Sequence, residues 1–200
     1  MKILTRRHFL GAAIVGSAGL VAPRAFAAVA SDPVPPLLQR AMAAFDSHSG
    51  TDFKRDRLAI VDFSRHSSEA RLQLVDITGG RVIASHLVAH GSGSDPASSG
   101  WVQRFSNRPG SNASADGSYV TSDTYRGKHG LSRRLIGLDP ANSLALQRGI
   151  VIHAADYVCD TLIRSQGRIG RSQGCFAVQQ NVIAEVLDQL GAGRLLYAAR

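Results

Sequence analysis

Apolar residues recur along this chain with two periods, and each period predicts a different kind of element. Helical spacing over 37–45, directly after two prolines, and again over 181–190, before Gly191, predicts two helices. Asp139 is a typical N-cap and predicts a short third helix over 140–147. Alternation or short apolar runs predict strands at 57–64, 71–78, 81–90, 118–121, 135–138, 149–155 and 194–198. The pattern therefore predicts a mainly β protein of the α+β type with a few short helices.

The segments between these elements differ greatly in length. Gly79 and Gly80 are typical of a two-residue turn, so 71–78 and 81–90 are predicted to pair as an antiparallel hairpin. Residues 91–117, in contrast, form one long connection rich in Gly, Ser, Asn and Pro. Long connections in a compact domain often carry function, so part of a functional site is expected there.

The first residues have the pattern of an export signal rather than of a folded element. Arg6 and Arg7 form a twin arginine, and a weakly apolar stretch rich in Gly and Ala follows over 11–21. Ala25-Phe26-Ala27 is typical of a cleavage site. The alternative, a membrane anchor, needs a longer and more apolar run. The pattern therefore indicates export by the twin-arginine route.

This interpretation divides the chain into a signal peptide over 1–27, a tether over 28–36 and one domain over 37–200. Residues 1–27 contain four basic residues and no acidic one, so their removal lowers the formal net charge from +8 to +4. So small a positive charge argues against nucleic-acid binding and suits an anionic polymer such as a carboxylate-rich cell wall. We expect a monomer in the periplasm or cell envelope, without a membrane span after cleavage.

Cys175 and His153 are the candidates for chemistry. The cysteine follows a Ser-x-Gly turn, and the histidine lies in the apolar strand predicted over 149–155. Acyl transfer by a thiol needs a base near the sulfur and backbone N–H groups aimed at the developing oxyanion. Gly174 allows the tight turn that presents such donors. These residues form a candidate acyl-transfer site, and the alternative is that Cys175 is an ordinary buried thiol.

Two other interpretations of the cysteines and histidines are weaker. A disulfide between Cys159 and Cys175 would block the nucleophile, but Cys159 lies in a half-buried segment and suits the role of a small apolar residue. His86 and His90 share one face of a predicted strand, as zinc ligands do, but no cysteine or acidic residue completes the set. Neither a metal nor any other cofactor is expected.

The spacing of these residues resembles the L,D-transpeptidases of bacterial cell-wall synthesis, in particular the murein L,D-transpeptidase catalytic-domain branch. That family shares a His followed, roughly fifteen to twenty residues later, by Ser/Thr-His-Gly-Cys. Here His153 precedes Ser172 by 19 residues. The resemblance covers about residues 37–198 and rests further on the segments 90–93, 105–107, 127–130 and 148–153.

The resemblance implies a β-sandwich catalytic domain whose Cys and His lie in a groove beneath loops. Cys175 would attack the carbonyl between diaminopimelate and D-Ala of a peptidoglycan stem peptide, release D-Ala and form a thioester. An amine of a neighbouring diaminopimelate would then give a 3→3 cross-link, whereas water would make the protein an L,D-carboxypeptidase. A non-catalytic wall-binding module with the same fold is the alternative from a different class.

The resemblance also assigns roles within the candidate site. Cys175 matches the nucleophile and His153 the base, and an adjacent imidazolium would lower the pKa of the thiol. The N–H groups of Gly174 and Cys175 would stabilise the oxyanion, and Ser172 would orient the histidine or the substrate.

Further residues are expected at the edge of the site. Arg171, His129 and His90 are candidates for binding a substrate carboxylate. The histidine tautomer is expected to be held by a backbone carbonyl, from Gly170 or from Arg171.

Two positions depart from the broader family motif. Gln173 stands where that motif has a His, and Ala177 stands where many members have an Arg two residues after the nucleophile. That arginine helps to bind the acyl donor, so its loss affects the substrate pocket rather than the nucleophile or the base. We expect Arg171 or Arg168 to replace it.

Overall fold

The computed structural model describes residues 36–200. The predicted signal peptide and the tether lie outside the described residues, except for Pro36, which is already the first residue of a helix. Within the described range, no helix has both the length and the apolar character needed to cross a membrane.

The mainly β prediction is confirmed: within residues 36–200, three short helices accompany nine strands. The helices are α1 (Pro36–Ser47), α2 (Asp160–Gln166) and α3 (Ile183–Gln189). The strands are β1 (Arg57–Asp62), β2 (Leu72–Asp76), β3 (Arg81–His86), β4 (Val88–Ala89), β5 (Gly117–Gly127), β6 (Gly130–Gly137), β7 (Val151–Ala154), β8 (Phe176–Val178) and β9 (Leu195–Ala199).

All nine strands belong to one hydrogen-bonded sheet with the order β3-β2-β1-β9-β5-β6-β7-β8-β4. Strands β3 and β4 stand at the two ends of this order, yet only Leu87 separates them in sequence. The two edges of the sheet must therefore meet at Leu87. The two layers of the expected sandwich are thus parts of one continuous sheet that folds over on itself.

The main core lies inside this folded sheet. Val61 of β1 and Leu74 of β2 pack in the same apolar cluster as Val88 of β4 and Phe176 of β8, although these strands lie at opposite ends of the strand order. The main core thus holds β8, the strand next to the candidate nucleophile, against the far end of the sheet.

Two smaller clusters hold helices against the sheet. Phe45 of α1 packs with Leu58 of β1 and Leu195 of β9. Near α2, Val158 packs with Ala177 of β8 in the third cluster. The helix predicted over 37–45 is thus confirmed, whereas α2 lies in a segment where no helix was predicted.

The structure corrects two predicted elements. The single strand expected over 81–90 is divided, because β3 pairs with β2 whereas β4 pairs with β8. The helix expected over 140–147 is a series of turns. Asp139 is occupied by other contacts, since its carboxylate accepts the Ser118 N–H at 2.6 Å and its own N–H donates to Asn142 Oδ1 at 2.9 Å.

Candidate active site

Strands β7 and β8 bring the predicted base and nucleophile to one place. They pair in parallel, with Ile152 opposite Phe176 and His153 opposite Ala177. Cys175 directly precedes β8, so it lies two residues before the position opposite His153.

Both side chains open on one cavity of about 740 Å³. Of the predicted site residues, the structure brings five to its wall: Cys175, His153, Ser172, Arg171 and His129. His129 lies at the tip of the β5–β6 hairpin, and its ring stacks on that of His153 with the centroids 4.2 Å apart and the planes 23° apart.

A backbone carbonyl fixes the tautomer of His153. Its Nδ1 lies 2.7 Å from the carbonyl oxygen of Ala154, which can only accept, so Nδ1 carries the proton and Nε2 is left as the base. The prediction that Gly170 or Arg171 supplies this carbonyl is therefore wrong. The residue next to the histidine does so instead.

The surroundings of the Cys175 thiol and of the His153 imidazole favour the neutral form of both groups. Burial lowers the pKa of His153, and the nearby His129 and Lys128 act in the same direction against the Ala154 hydrogen bond. Burial also raises the pKa of the Cys175 thiol, although the Val151 N–H and Arg148 oppose it. The Cys175 thiol donates to the Gly149 carbonyl at 3.5 Å. The lowered thiol pKa expected from an adjacent imidazolium is thus wrong, and the neutral His153 has the form that a general base needs.

This neutral pair predicts how thiol reactivity depends on pH. In a Cys159→Ala variant, the rate of iodoacetamide alkylation should report Cys175 alone, because alkylation consumes the thiolate. The rate should keep rising beyond pH 9, since the pKa of the Cys175 thiol is raised above its usual value of 9.0. A rate that reaches its plateau below pH 7 would instead indicate a thiolate–imidazolium pair.

The turn before the nucleophile is held by Ser172. Its hydroxyl donates to the Cys175 carbonyl at 2.7 Å and accepts the Gly174 N–H at 3.1 Å. Ser172 therefore shapes the nucleophile turn rather than orienting His153. The same contact occupies the Gly174 N–H, which corrects its predicted oxyanion role. Across residues 36–200, no acceptor is bound to the N–H of Gln173 or of Cys175, so these two donors remain for an oxyanion.

The nucleophile turn is also tied to the start of the long connection after β4. The Ser172 N–H donates to the His90 carbonyl at 2.9 Å, and the Ser92 N–H donates to the Ser172 carbonyl at 2.8 Å. In addition, Arg171 donates to the backbone carbonyl of Asp95. The expectation that the 91–117 connection contributes to the site agrees with these contacts.

The structure contradicts the prediction that His90 binds substrate. His90 is fully buried and does not line the cavity. Its Nδ1 accepts from the Arg71 guanidinium at 2.7 Å, which requires the proton to be on Nε2, and Nε2 lies 3.3 Å from the Asp95 carboxylate. Arg71 and Asp95 are also fully buried. His90 therefore belongs to a buried network beneath the nucleophile turn.

This network predicts that stability depends on pH. Burial and the charge of Arg71 lower the pKa of His90 from 6.5 to about 4. Between these values the unfolded chain binds a proton that the folded protein does not, so stability should fall as the pH falls. The loss attributable to His90 between pH 7 and pH 4 is about 3 kcal/mol, measured by urea unfolding.

A His90→Asn variant is the comparison for this prediction. Its amide keeps an acceptor for Arg71 and a donor for Asp95 but does not titrate. His86 and His153, whose pKa values burial also lowers, contribute equally in both proteins. An equal loss of stability on acidification in the variant would contradict the prediction.

Two residues of the cavity wall, Arg148 and Tyr157, were not among the predicted site residues. Arg148 precedes the His strand, and its guanidinium donates to the carbonyls of Ser106 and Ala113. Tyr157 also lines the cavity, as does Lys128, which stands beside His129 in the sequence and was a possible binder of a stem-peptide carboxylate. The segment 148–153, which carried part of the resemblance, contains Arg148 and was the available signal for it.

The two departures from the family motif occupy different environments. Ala177 is fully buried in the apolar cluster near α2, where Val158 and Ile169 cover it. A charged side chain at this position would have to displace that cluster. Gln173, in contrast, is exposed and lines the cavity.

The two cysteines are separate from one another. Cys159 and Cys175 are both free thiols, and Cys159 is the residue that precedes α2. Among residues 36–200, no group of three or more His, Cys, Asp or Glu side chains is arranged to hold a metal ion.

Comparison with known proteins gives one match to a family and several to solved structures. An L,D-transpeptidase from Mycobacterium smegmatis is 13% identical, with a TM-score of 0.45 over 72% of this chain and 59% of that chain. An L,D-transpeptidase from Stackebrandtia nassauensis is 16% identical, with a TM-score of 0.44 over 82% of this chain and 64% of that chain. L,D-transpeptidase 3 from Mycobacterium tuberculosis, in complex with a faropenem-derived adduct, is 11% identical, with a TM-score of 0.44 over 72% of this chain and 60% of that chain.

This chain thus spans about three fifths of the length of these structures. No curated protein matches it. The family match is the more extensive one, since it runs over residues 31–199 and includes the cavity with Cys175 and His153. Because this match extends over most of the chain, the protein belongs to the L,D-transpeptidase catalytic domain family.

Proposed function

We propose that this protein is a cysteine acyl-transferase that acts on peptidoglycan stem peptides and forms 3→3 cross-links. The observation that carries the proposal is that Cys175 and His153 open on one cavity, with Nε2 of His153 left unprotonated by the Ala154 carbonyl. Such an arrangement supplies a nucleophile and a base to the same substrate carbonyl.

In the first half-reaction, His153 Nε2 takes the thiol proton as Cys175 Sγ bonds to the diaminopimelate carbonyl carbon. The oxyanion that forms is stabilised by the N–H groups of Gln173 and Cys175. The bond to D-Ala then breaks, and His153 returns the proton to the departing amine. The products are free D-Ala and a thioester on Cys175.

In the second half-reaction, the amine of a second stem peptide attacks the thioester. His153 takes a proton from the attacking nitrogen, and the carbon–sulfur bond breaks. The thiolate regains its proton from His153, so that the enzyme returns to its neutral resting state. The product is an amide bond between two diaminopimelate residues.

The same proposal includes export by the twin-arginine route to the periplasm or cell envelope. Its support is the pattern of Arg6, Arg7 and Ala25-Phe26-Ala27. Cell fractionation should find the protein in the envelope fraction. A variant with Arg6→Lys and Arg7→Lys should remain in the cytoplasm, and an unchanged distribution would contradict this route.

Incubation with defined disaccharide-tetrapeptides, followed by mass analysis of the products, tests the function. Transfer is expected to give a cross-linked dimer and one D-Ala for each bond formed. Free tripeptide without dimer would instead identify the L,D-carboxypeptidase that uses water as acceptor. Binding of the tetrapeptide without any product would identify a wall-binding module and overturn the proposal.

A further inference from the structure

The charge of the cavity wall has one sign. Of residues 36–200, sixteen line the cavity, and three of these are Lys or Arg, namely Lys128, Arg148 and Arg171, whereas none is Asp or Glu. The two histidines of the wall, His129 and His153, add no negative charge. The cavity is therefore positive, although the domain as a whole carries acidic residues elsewhere.

None of the three cations is neutralised by a carboxylate. The ion pairs formed within residues 36–200 include neither Lys128 nor Arg148 nor Arg171. Arg148 donates to two backbone carbonyls and to the Ser111 hydroxyl, which are neutral acceptors. Arg171 donates to the backbone carbonyl of Asp95 rather than to its carboxylate.

The nearby carboxylates are occupied elsewhere. The Asp95 side chain accepts from Ser99 and Gly100 and lies against His90. Asp156 lines the adjoining cavity on the other side of Lys128, where it accepts from Gln180 at 2.9 Å. Because unpaired cations are costly where they are partly desolvated, as the half-buried Arg148 and Arg171 are, the charge that balances them is expected to come with the ligand.

The cations differ in what they offer to a ligand. Three N–H groups of Arg148 are engaged by the 106–113 segment, so this side chain contributes charge and holds the wall in place. Lys128 is exposed at the tip of the β5–β6 hairpin beside His129. Arg171 is half-buried and uses one N–H group, which leaves the rest of its guanidinium for a carboxylate.

We propose that the cavity selects an acyl donor whose carboxylates are free rather than amidated, and that Lys128 and Arg171 recognise these carboxylates. This inference rests on the proposed function and specifies its substrate class. A donor stem peptide carries one carboxylate on the D-Ala that leaves and another at the far end of the diaminopimelate side chain. Amidation removes the charge and leaves the shape nearly unchanged.

The test compares the free tetrapeptide with two modified donors, one amidated at the D-Ala carboxyl and one at the diaminopimelate side-chain carboxyl. For at least one of the amides, kcat/KM is expected to fall about tenfold or more, because a charge-assisted hydrogen bond is lost. Raising the salt concentration should weaken the binding of the free donor more than that of the amide.

Two variants connect the preference to the proposed residues. Lys128→Gln and Arg171→Gln should each reduce the ratio of kcat/KM between the free and the amidated donor. Lys128 is exposed on a hairpin tip, so its replacement leaves the nucleophile turn untouched. Lys128→Gln therefore still tests the inference if Arg171→Gln disturbs that turn. Arg126→Gln is the matched control, since Arg126 is exposed on the same hairpin and does not line the cavity.

Affinity measurements separate this inference from the proposed function. If no donor is converted, calorimetry with the free and amidated tetrapeptides still reports whether the cavity distinguishes them. The inference is overturned if both amides match the free donor in kcat/KM and in affinity. It is also overturned if Lys128→Gln and Arg171→Gln retain the full preference, because the recognition then lies elsewhere.

Discussion

Replacing Cys175 with alanine is expected to lower the rate of acyl transfer by at least about 10⁴-fold, because the variant has no sulfur on which the acyl intermediate can form. The cavity wall contains this one thiol. Cross-link formation from tetrapeptides, followed by mass analysis, measures the loss. The fold should persist, since the half-buried sulfur donates only to the Gly149 carbonyl.

A carbapenem gives a second measurement of the same prediction. Its strained carbonyl should acylate the thiol and leave one adduct on the intact protein, located at Cys175 by peptide mapping. Cys159→Ala is the matched control and should keep both the adduct and the transfer activity, because Cys159 does not line the cavity. An adduct on Cys159 alone, or full activity in Cys175→Ala, would contradict the assignment of Cys175 as the nucleophile.

Replacing Gly174 with alanine is the second change with a large expected effect. Gly174 has a φ of +114°, a conformation that residues with a side chain rarely adopt. An added methyl group would lie 2.7 Å from the Ala113 carbonyl oxygen and 3.2 Å from the Arg148 guanidinium. The turn must shift to relieve this contact, and it would move the sulfur of the next residue with it.

We therefore expect kcat/KM of Gly174→Ala to fall at least about 100-fold, since a displacement on the order of 1 Å is enough to misalign a nucleophile. The free energy of unfolding should fall by about 1–3 kcal/mol because of the strained backbone. Gly167→Ala is the matched control: Gly167 has a φ of +75° but open space around it, at the end of α2. It should lose about 1 kcal/mol of stability and no activity; equal losses of activity in both variants would contradict the prediction.

The candidate nucleophile and the candidate base were accessible from the sequence because their signals are local. His153 lies in a short apolar strand, and Cys175 follows a Ser-x-Gly turn directly before another strand. Two parallel strands that each carry one of these residues bring them together whenever they are neighbours in the sheet. The family match over residues 31–199 agrees with the resemblance that these residues carried.

His90 shows what a sequence pattern does not reveal. A histidine at the end of a strand, next to a Gly-rich connection, is typical of a residue in a groove. Its actual environment is set by Arg71, which is distant in sequence and projects from the segment before β2 into the same buried site. Tertiary contacts of this kind decide whether a histidine faces solvent, a ligand or another side chain.

Asp139 illustrates the same limit for secondary structure. Its position before an apolar stretch is typical of a helix N-cap, but its carboxylate binds the Ser118 N–H of β5 and His48 near the end of α1. Hydrogen-bond partners from two distant segments thus take the place of the backbone N–H groups that a helix N-cap would bind. Conversely, α2 was missed because its residues carry no buried side chain that would give an apolar periodicity.

The central position of β9 has a consequence for how the protein is made. This strand lies between β1 and β5, and its pairing with β1 joins Leu58 to Leu195. The ribosome must therefore synthesise nearly the whole domain before the middle of the sheet can assemble. Such distant pairing slows folding and leaves the unpaired edges of β1 and β5 exposed in the nascent chain. Newly made chains should thus depend on chaperones until residues 195–199 have emerged.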